Sequence, residues 1–306
     1  MIMFTRKRGS ALISAMFTMT LVAMVATAMH ARLQTDIYRT QLAINQDRIV
    51  LASQGMVFWA MGQLRKPALS NLNTTVSVFP TQARYDYPGL SMQGYLEDEQ
   101  SFFNLNNLID ERYQPIFLNL LKNVLPDLSA NTRLALAKAI KARIYPADKS
   151  RQLWRQNLTS HFLPDVIKQN LLQNLQELKT ITGFSAQRFD ALKPYIVVLP
   201  AITPINLNSA SKIVLSSLGQ GLSDNKIEAL LRFKTKKGFD LAKIRPFLLK
   251  EHIDIHSITL VSEFYLNKAT LSNDETNLTL FTLLKRQQLP HEPIGVSLIK
   301  QSYQPF

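Results

Sequence analysis

Ser10 to Met29 form a run of twenty residues with no charged side chain. As a helix such a run spans roughly 30 Å, the thickness of a bilayer core. It is preceded by Arg6, Lys7, Arg8 and a single Gly9. A basic flank holds its end of a membrane helix in the cytoplasm, so the rest of the chain is expected on the other side. A secretory signal is the competing reading, with Ala26-Thr27-Ala28 as its small-residue cleavage site. Against it, the helical pattern continues without Pro to Lys66, interrupted only by Gly55 and Gly62. An unbroken helix from Ser10 to Lys66 would be about 85 Å long, which suits a filament spine better than a globular core.

Beyond Ala31 the helix turns amphipathic. Ile37, Ile44, Leu51 and Phe58 recur every seven residues, and Leu42, Ile49 and Met56 form a second series on a nearly opposite face. Two such stripes predict one face for the protein's own core and one for neighbouring subunits. Residues 67–106 then change character. Pro67, Pro80, Pro88, Gly89 and Gly94 punctuate short β-branched runs such as Thr74 to Phe79. Glu263 to Leu271 and Thr276 to Leu284 read as a hairpin about a polar turn, with a further strand at Ile294 to Ile299. Between about Asn107 and Ser257 the spacing is helical, as in Ile116, Phe117, Leu120, Leu121 and Val124, or Leu171, Leu172, Leu175 and Leu178. Strand-like sequence on both sides of a helical block predicts a helical domain inserted into a sheet.

Composition narrows the chemistry. The 306 residues contain no Cys, which removes disulfides, thiolate metal sites and a cysteine nucleophile. The ten Gly form no phosphate-cradling loop. Ser209 to Lys212 and Ser223 to Lys226 match S-x-x-K without its companion motifs. His252-Ile-Asp-Ile-His256, read as a strand, would place two imidazoles and a carboxylate on one face. No fourth ligand follows, and a solvated edge is expected there. Glu97, Asp98 and Glu99 read as solvated turn charges. The chain is therefore expected to be no enzyme and to hold no cofactor. The net charge is +13, and the segment from Ala210 to Lys250 carries nine Lys or Arg against three acids.

Four segments carry a resemblance to a known family. They are Arg6-Lys-Arg-Gly followed by Ser10-Ala-Leu-Ile-Ser-Ala-Met-Phe17; Asp98-Glu-Gln-Ser-Phe-Phe-Asn-Leu-Asn-Asn-Leu108; Leu175 to Gly183 through Leu192 to Pro200 and Ile205 to Ser211; and Val261-Ser-Glu-Phe-Tyr-Leu266. In that order they resemble the general secretion pathway protein K family, the large minor pseudopilins of type II secretion. The resemblance implies an α+β fold: a pilin-like long N-terminal helix packed on a small antiparallel sheet, with a large inserted all-α domain containing helix-hairpin-helix-like (SAM-like) elements. It implies a leader at residues 1–9, a transmembrane and spine helix at 10–66, a sheet domain at 67–106 and 258–306, and the insert at 107–257. It also implies a prepilin peptidase that cuts between Gly9 and Ser10, methylation of Ser10, and an inner-membrane anchor whose globular part is periplasmic. The implied partners are inner-membrane lipid and the minor pseudopilins I and J, with no nucleic acid. Calcium is bound in such heads. Here the stretch Leu134 to Ser160 is basic, and no calcium is expected.

With Ser10 as the first mature residue, the fifth is Ser14. Shaft-building pilins resemble one another in carrying Glu there, which neutralises the N-terminal ammonium of the subunit above. A subunit with no neighbour above has no such charge to meet, and an unpaired carboxylate in the membrane costs several kcal/mol. Ser14 thus predicts a place at the tip. A second reading comes from Asn206 to Ser211, the Gly219-Gln-Gly221 turn and Phe239. These resemble the helix-hairpin-helix of membrane-anchored competence DNA receptors, in which turn amides hold a phosphate.

Mass spectrometry of the mature protein is expected to find Ser10 at its N-terminus. A start at Met29 or later would mean ordinary signal-peptide cleavage.

Overall fold

The computed structural model describes residues 8–66, 81–87, 89–144, 170–273, 277–287 and 293–306, with the side chains of residues 8–10 left aside. The expected strand at Thr74 to Phe79 and most of the leader lie outside the described residues. The chain divides into two compact units, residues 1–54 and 55–306.

A single helix, α1 (Arg8–Leu64), begins in the first unit and ends in the second. It is long and apolar enough to cross a membrane, with a mean hydropathy of 2.0 over its most apolar window. Side chains from Ala11 to Met29 are exposed. All four hydroxyls in that stretch bond back to carbonyls of the preceding turn. Ser14 reaches Ala11 at 3.0 Å, Thr18 reaches Ala15 at 2.9 Å, Thr20 reaches Met16 at 3.0 Å and Phe17 at 2.9 Å, and Thr27 reaches Ala23 at 2.7 Å. A polar group satisfied within its own helix makes no demand on a lipid surrounding.

The second unit is built on a five-stranded antiparallel sheet of order β1-β2-β7-β8-β9. Its strands are β1 (Thr81–Tyr87), β2 (Leu90–Asp98), β7 (Phe264–Ser272), β8 (Asn277–Gln287) and β9 (Gly295–Ser302). The hairpin β7–β8 pairs Phe264 with Lys285 through to Ser272 with Asn277, in the register that the alternation of buried and open positions requires. Gly94, which reads as punctuation in the sequence, instead lies inside β2 opposite Ala269. The last turns of α1 explain it. A Cβ at Gly94 would meet the Met56 side chain within contact distance and Trp59 at 2.7 Å, so the absent side chain lets helix and sheet close up. Met56, Val57, Ala60 and Leu64 are buried on this side, while Phe58 is 70% exposed. Arg286 of β8 is buried beside the helix end and its Nε donates to the Leu64 carbonyl at 3.0 Å. A cation is favourable at that end, where carbonyls are left over.

Between β2 and β7 the described residues are mainly helical: α2 (Gln114–Val124), α3 (Ala130–Ile144), α4 (Ala186–Leu192), α5 (Lys212–Ser216), α6 (Asp224–Leu231) and α7 (Leu241–Lys250). These share one apolar core that includes Phe103, Tyr113, Phe117, Leu178, Phe189, Leu218 and Leu230. Two short parallel bridges cross it. β3 (Phe103–Asn104) pairs with β4 (Ile196–Val197), and β5 (Ile205–Asn206) pairs with β6 (Ile258–Thr259). The leucine series from Leu171 is a correction to the helical reading. Leu171 to Asn174 lie outside any helix, and a 3-10 helix follows at Leu175–Thr180, closed by a capping box of Asn174 and Glu177. The four leucines do not share one helix, although Leu171, Leu172, Leu175 and Leu178 are all buried.

Candidate functional site

Two of the three acidic residues that the sequence presents as solvated turn charges are buried, and Glu97 is half-buried. Asp98 is 2% exposed and Glu99 7%. Asp98 ends β2 and caps the 3-10 turn Glu99–Ser101, accepting from the Gln100 amide at 2.9 Å. Its other carboxylate oxygen accepts from Asn206 Nδ2 at 2.8 Å and from the Ser209 hydroxyl. Asn206 Nδ2 also donates to Ser262 Oγ at 2.9 Å. Gln100 completes the junction, with Nε2 donating to the Pro204 carbonyl at 2.9 Å and Oε1 accepting from the amides of Glu263 and Phe264. One tight turn thus joins β2 to the segments that enter β5 and β7.

Three asparagines extend the clasp. Asn104 Oδ1 accepts from the amides of Asn106 and Leu199, both at 3.1 Å, and its Nδ2 donates to the Ala201 carbonyl at 2.7 Å. Asn106 Nδ2 donates to the carbonyls of Leu172 and Leu199 at 3.0 and 2.8 Å, and its Oδ1 accepts from the Leu172 amide at 2.9 Å. Asn107 exchanges a pair of bonds with Thr203, at 2.6 and 2.9 Å. An amide side chain carries both donors and acceptors, so it can substitute for a neighbouring strand where the backbone has none. The motif Phe103-Asn-Leu-Asn-Asn-Leu108 therefore alternates core contacts with staples for an irregular, largely buried loop, residues 198–204.

Burial raises the carboxyl of Asp98 above the usual range, against the lowering effect of its bonds to Ser209, Ser262, Gln100 and Asn206. Glu99 is raised to about 8, first by burial and then by the nearby charges of Glu97 and Asp98. Glu97 is raised too, by burial and by Asp98, while Lys268 opposes the shift.

The helical hairpin is packed rather than open. Gly219 and Gly221 have φ of 59° and 95°. A Cβ on Gly219 would lie 2.6 Å from the Glu251 carbonyl oxygen. Asn119 Nδ2 donates to the carbonyls of Ser217 and Gly219 at 3.1 and 3.3 Å. The turn amides are used internally, Gly221 to the Leu218 carbonyl at 3.0 Å and Leu222 to the Ser216 carbonyl at 2.8 Å. His252 to His256 do not form the strand that their alternation suggests. His252 has a positive φ of 54° at the end of α7, and Ile255–Ser257 make a 3-10 turn capped by Asp254. The two imidazoles and the carboxylate therefore have no common strand face. Among the described residues no group of three His, Asp or Glu is placed to hold a metal.

The backbone of Gly9 and Ser10 is helical and continuous with the apolar run, and Ser14 points its hydroxyl back to Ala11. Gly9 and Ser10, where processing is expected, thus lie in a different part of the chain from the clasp. Sequence reasoning missed the burial of Asp98 and Glu99. The signal that could have found it is the density of Asn, Gln and Ser beside two phenylalanines from Asp98 to Leu108.

The family model described as "Type II secretion system (T2SS), protein K", first segment, matches residues 101–201. That interval contains the three asparagine staples and the loop they hold. No curated protein matches the chain by sequence. Among solved structures, the chain is similar to one from the GspK–GspI–GspJ complex of the enterotoxigenic Escherichia coli type 2 secretion system. The likeness has 20% identity and a TM-score of 0.64, and covers 86% of this chain and 98% of that one. Of the four segments that resemble protein K, this match takes in residues 101–108, 175–183 and 192–200, and the α+β fold that the resemblance implies is the fold observed.

Unfolded Glu ionises near its ordinary value of 4.5, whereas folded Glu99 keeps its proton to about 8. Between those values folding takes up a proton, so stability falls as pH rises from about 4.5 to about 8. The raised carboxyl of Asp98 acts in the same sense. Glu99→Gln is expected to flatten this decline and to raise the melting temperature at pH 8 more than at pH 5. Thermal unfolding of the detergent-solubilised full chain at both pH values checks it. Parallel profiles for the two proteins would contradict the assignment.

Proposed function

We propose that this relative of type II secretion protein K is a minor pseudopilin that sits once, at the tip of the pseudopilus, and initiates or caps its assembly for protein export. The observation that carries the reading is the protein K match over residues 101–201 in a chain that opens with a pilin-like anchor helix. The role is structural rather than catalytic. Prepilin peptidase removes the leader after Gly9 and Ser10 is methylated. The anchor crosses the inner membrane once and the globular part is periplasmic.

Two physical features support the tip. Ser14, the fifth mature residue, brings no carboxylate into the membrane, and its hydroxyl is satisfied by Ala11. A shaft subunit needs that carboxylate to meet its neighbour's ammonium, and a terminal subunit does not. The helical region between β2 and β7 is also too large to repeat along a close-packed shaft. The protein K in the solved complex is bound to GspI and GspJ, and we assign this chain equivalent partners, minor pseudopilins I and J. The apolar residues Ile37, Ile44 and Leu51 of α1, 47–66% exposed, give them a surface to meet.

Gold labelling of the helical region on isolated filaments tests the position. Label at one end only is the expected result. Label spaced along the shaft would refute the tip assignment.

A further inference from the structure

A cleft opens between α6 and α7 that anchoring and filament position leave unused. Its volume is about 580 Å³, and its lining includes Lys226, Ala229, Phe233, Phe247, Lys250 and His252. The two phenylalanine rings lie 6.4 Å apart between centroids at 57° to one another, and Phe233 remains 40% exposed. An aromatic pair open on one side is an apolar seat. The rim is cationic: Lys226 and Lys250 are both exposed, and they stand in a basic segment, nine Lys or Arg against three acids from Ala210 to Lys250. Lys226 is already paired with Glu251 at 2.6 Å, which leaves Lys250 as the rim charge to be met.

His252 adds an independent observation. It occupies the left-handed position that closes α7, with its amide bonded to the Leu249 carbonyl at 3.2 Å and that of Ile253 to Leu248 at 2.9 Å. Glycine is the residue that this closure favours. The chain instead accepts backbone strain there and gains an exposed imidazole at the cleft rim.

We propose that this cleft docks an acidic peptide segment of a partner protein, with a large apolar side chain seated on Phe233 and Phe247 and its carboxylates at Lys250 and His252. A peptide fits the site better than nucleic acid. Two amides of the turn that would hold a phosphate, those of Gly221 and Leu222, are bonded within the hairpin, and a Cβ on Gly219 would meet the Glu251 carbonyl. The Glu251 carboxylate within the cleft, and Asp224 at the start of α6, repel a regular phosphate backbone. A peptide spaces its charges and can leave Glu251 to Lys226. The inference rests on the cleft alone and stands apart from the tip position.

The test uses the detergent-solubilised full chain and three fluorescent probes: a Glu/Ser peptide with two Phe, the same peptide with Lys for Glu, and a short DNA duplex. The Glu peptide is expected to bind, more weakly as salt rises, and the Lys peptide at least about tenfold more weakly. Lys250→Glu, at an exposed position, and Phe233→Ser are each expected to weaken the Glu peptide by about tenfold. His252→Gly is expected to weaken it while the protein melts no lower. Absence of binding, equal binding of the Lys peptide, unchanged affinity in both Lys250→Glu and Phe233→Ser, or tighter binding of the duplex would each overturn the proposal.

Discussion

The organisation of the globular part depends on a buried polar clasp at the end of β2. A buried polar group is costly unless every donor and acceptor finds a partner. Asp98, Gln100, Asn104, Asn106 and Asn107 meet that condition by reaching the backbone and side chains of distant segments: Leu172, Leu199 to Thr203, Pro204, Asn206, Ser209 and Ser262 to Phe264. Each bond alone contributes about 1 kcal/mol net. Their importance is geometric, because the loop they hold has few backbone partners of its own. Where β2 ends, the chain leaves the sheet for the helices, and where β7 begins it returns. The clasp ties the two places together, so a long excursion can be made without loosening the sheet.

The second constraint is the fit of the last turns of α1 on the sheet. It follows from size and charge at two positions. Gly94 gives Met56 and Trp59 room, and Arg286 meets the carbonyl end of the helix at Leu64. This contact uses one face of α1. Phe58, one residue from the buried Val57, is left 70% exposed. Of the two stripes, Ile49 and Met56 are buried, whereas Ile37, Ile44, Leu51 and Phe58, and Leu42 further out, are exposed. Further toward the N-terminus, the four hydroxyls between Ala11 and Met29 turn inward to their own backbone, as a helix in lipid requires.

Much of this was legible in the sequence, because the readable features are periodic. The charge-free run, the continuation of the helix to Leu64, and the alternating strands Phe264–Ser272 and Asn277–Gln287 are local patterns that tertiary contacts reinforce. What could not be read was set by contacts distant in sequence. Asp98 and Glu99 look like turn charges until Asn206, Ser209 and the core close over them. Leu171 to Leu178 have helical spacing, yet Asn106 takes the amide and carbonyl of Leu172, and Asn174 starts a 3-10 turn instead. His252 to His256 alternate like a strand, yet the chain is leaving α7 there and the backbone reverses at His252. Gly94 looks like a breaker because the helix that needs its small size lies far back in the chain.

The asparagine clasp is expected to join segments distant in sequence into one cooperative unit. Hydrogen exchange on the full chain with Asn106→Ala tests it most directly. Residues 103–108, 171–173 and 197–207 are predicted to lose protection together, with a loss of about 2–3 kcal/mol for a buried amide whose partners are left unpaired. Loss confined to the immediate neighbours of residue 106, with 197–207 still protected as before, would contradict the account.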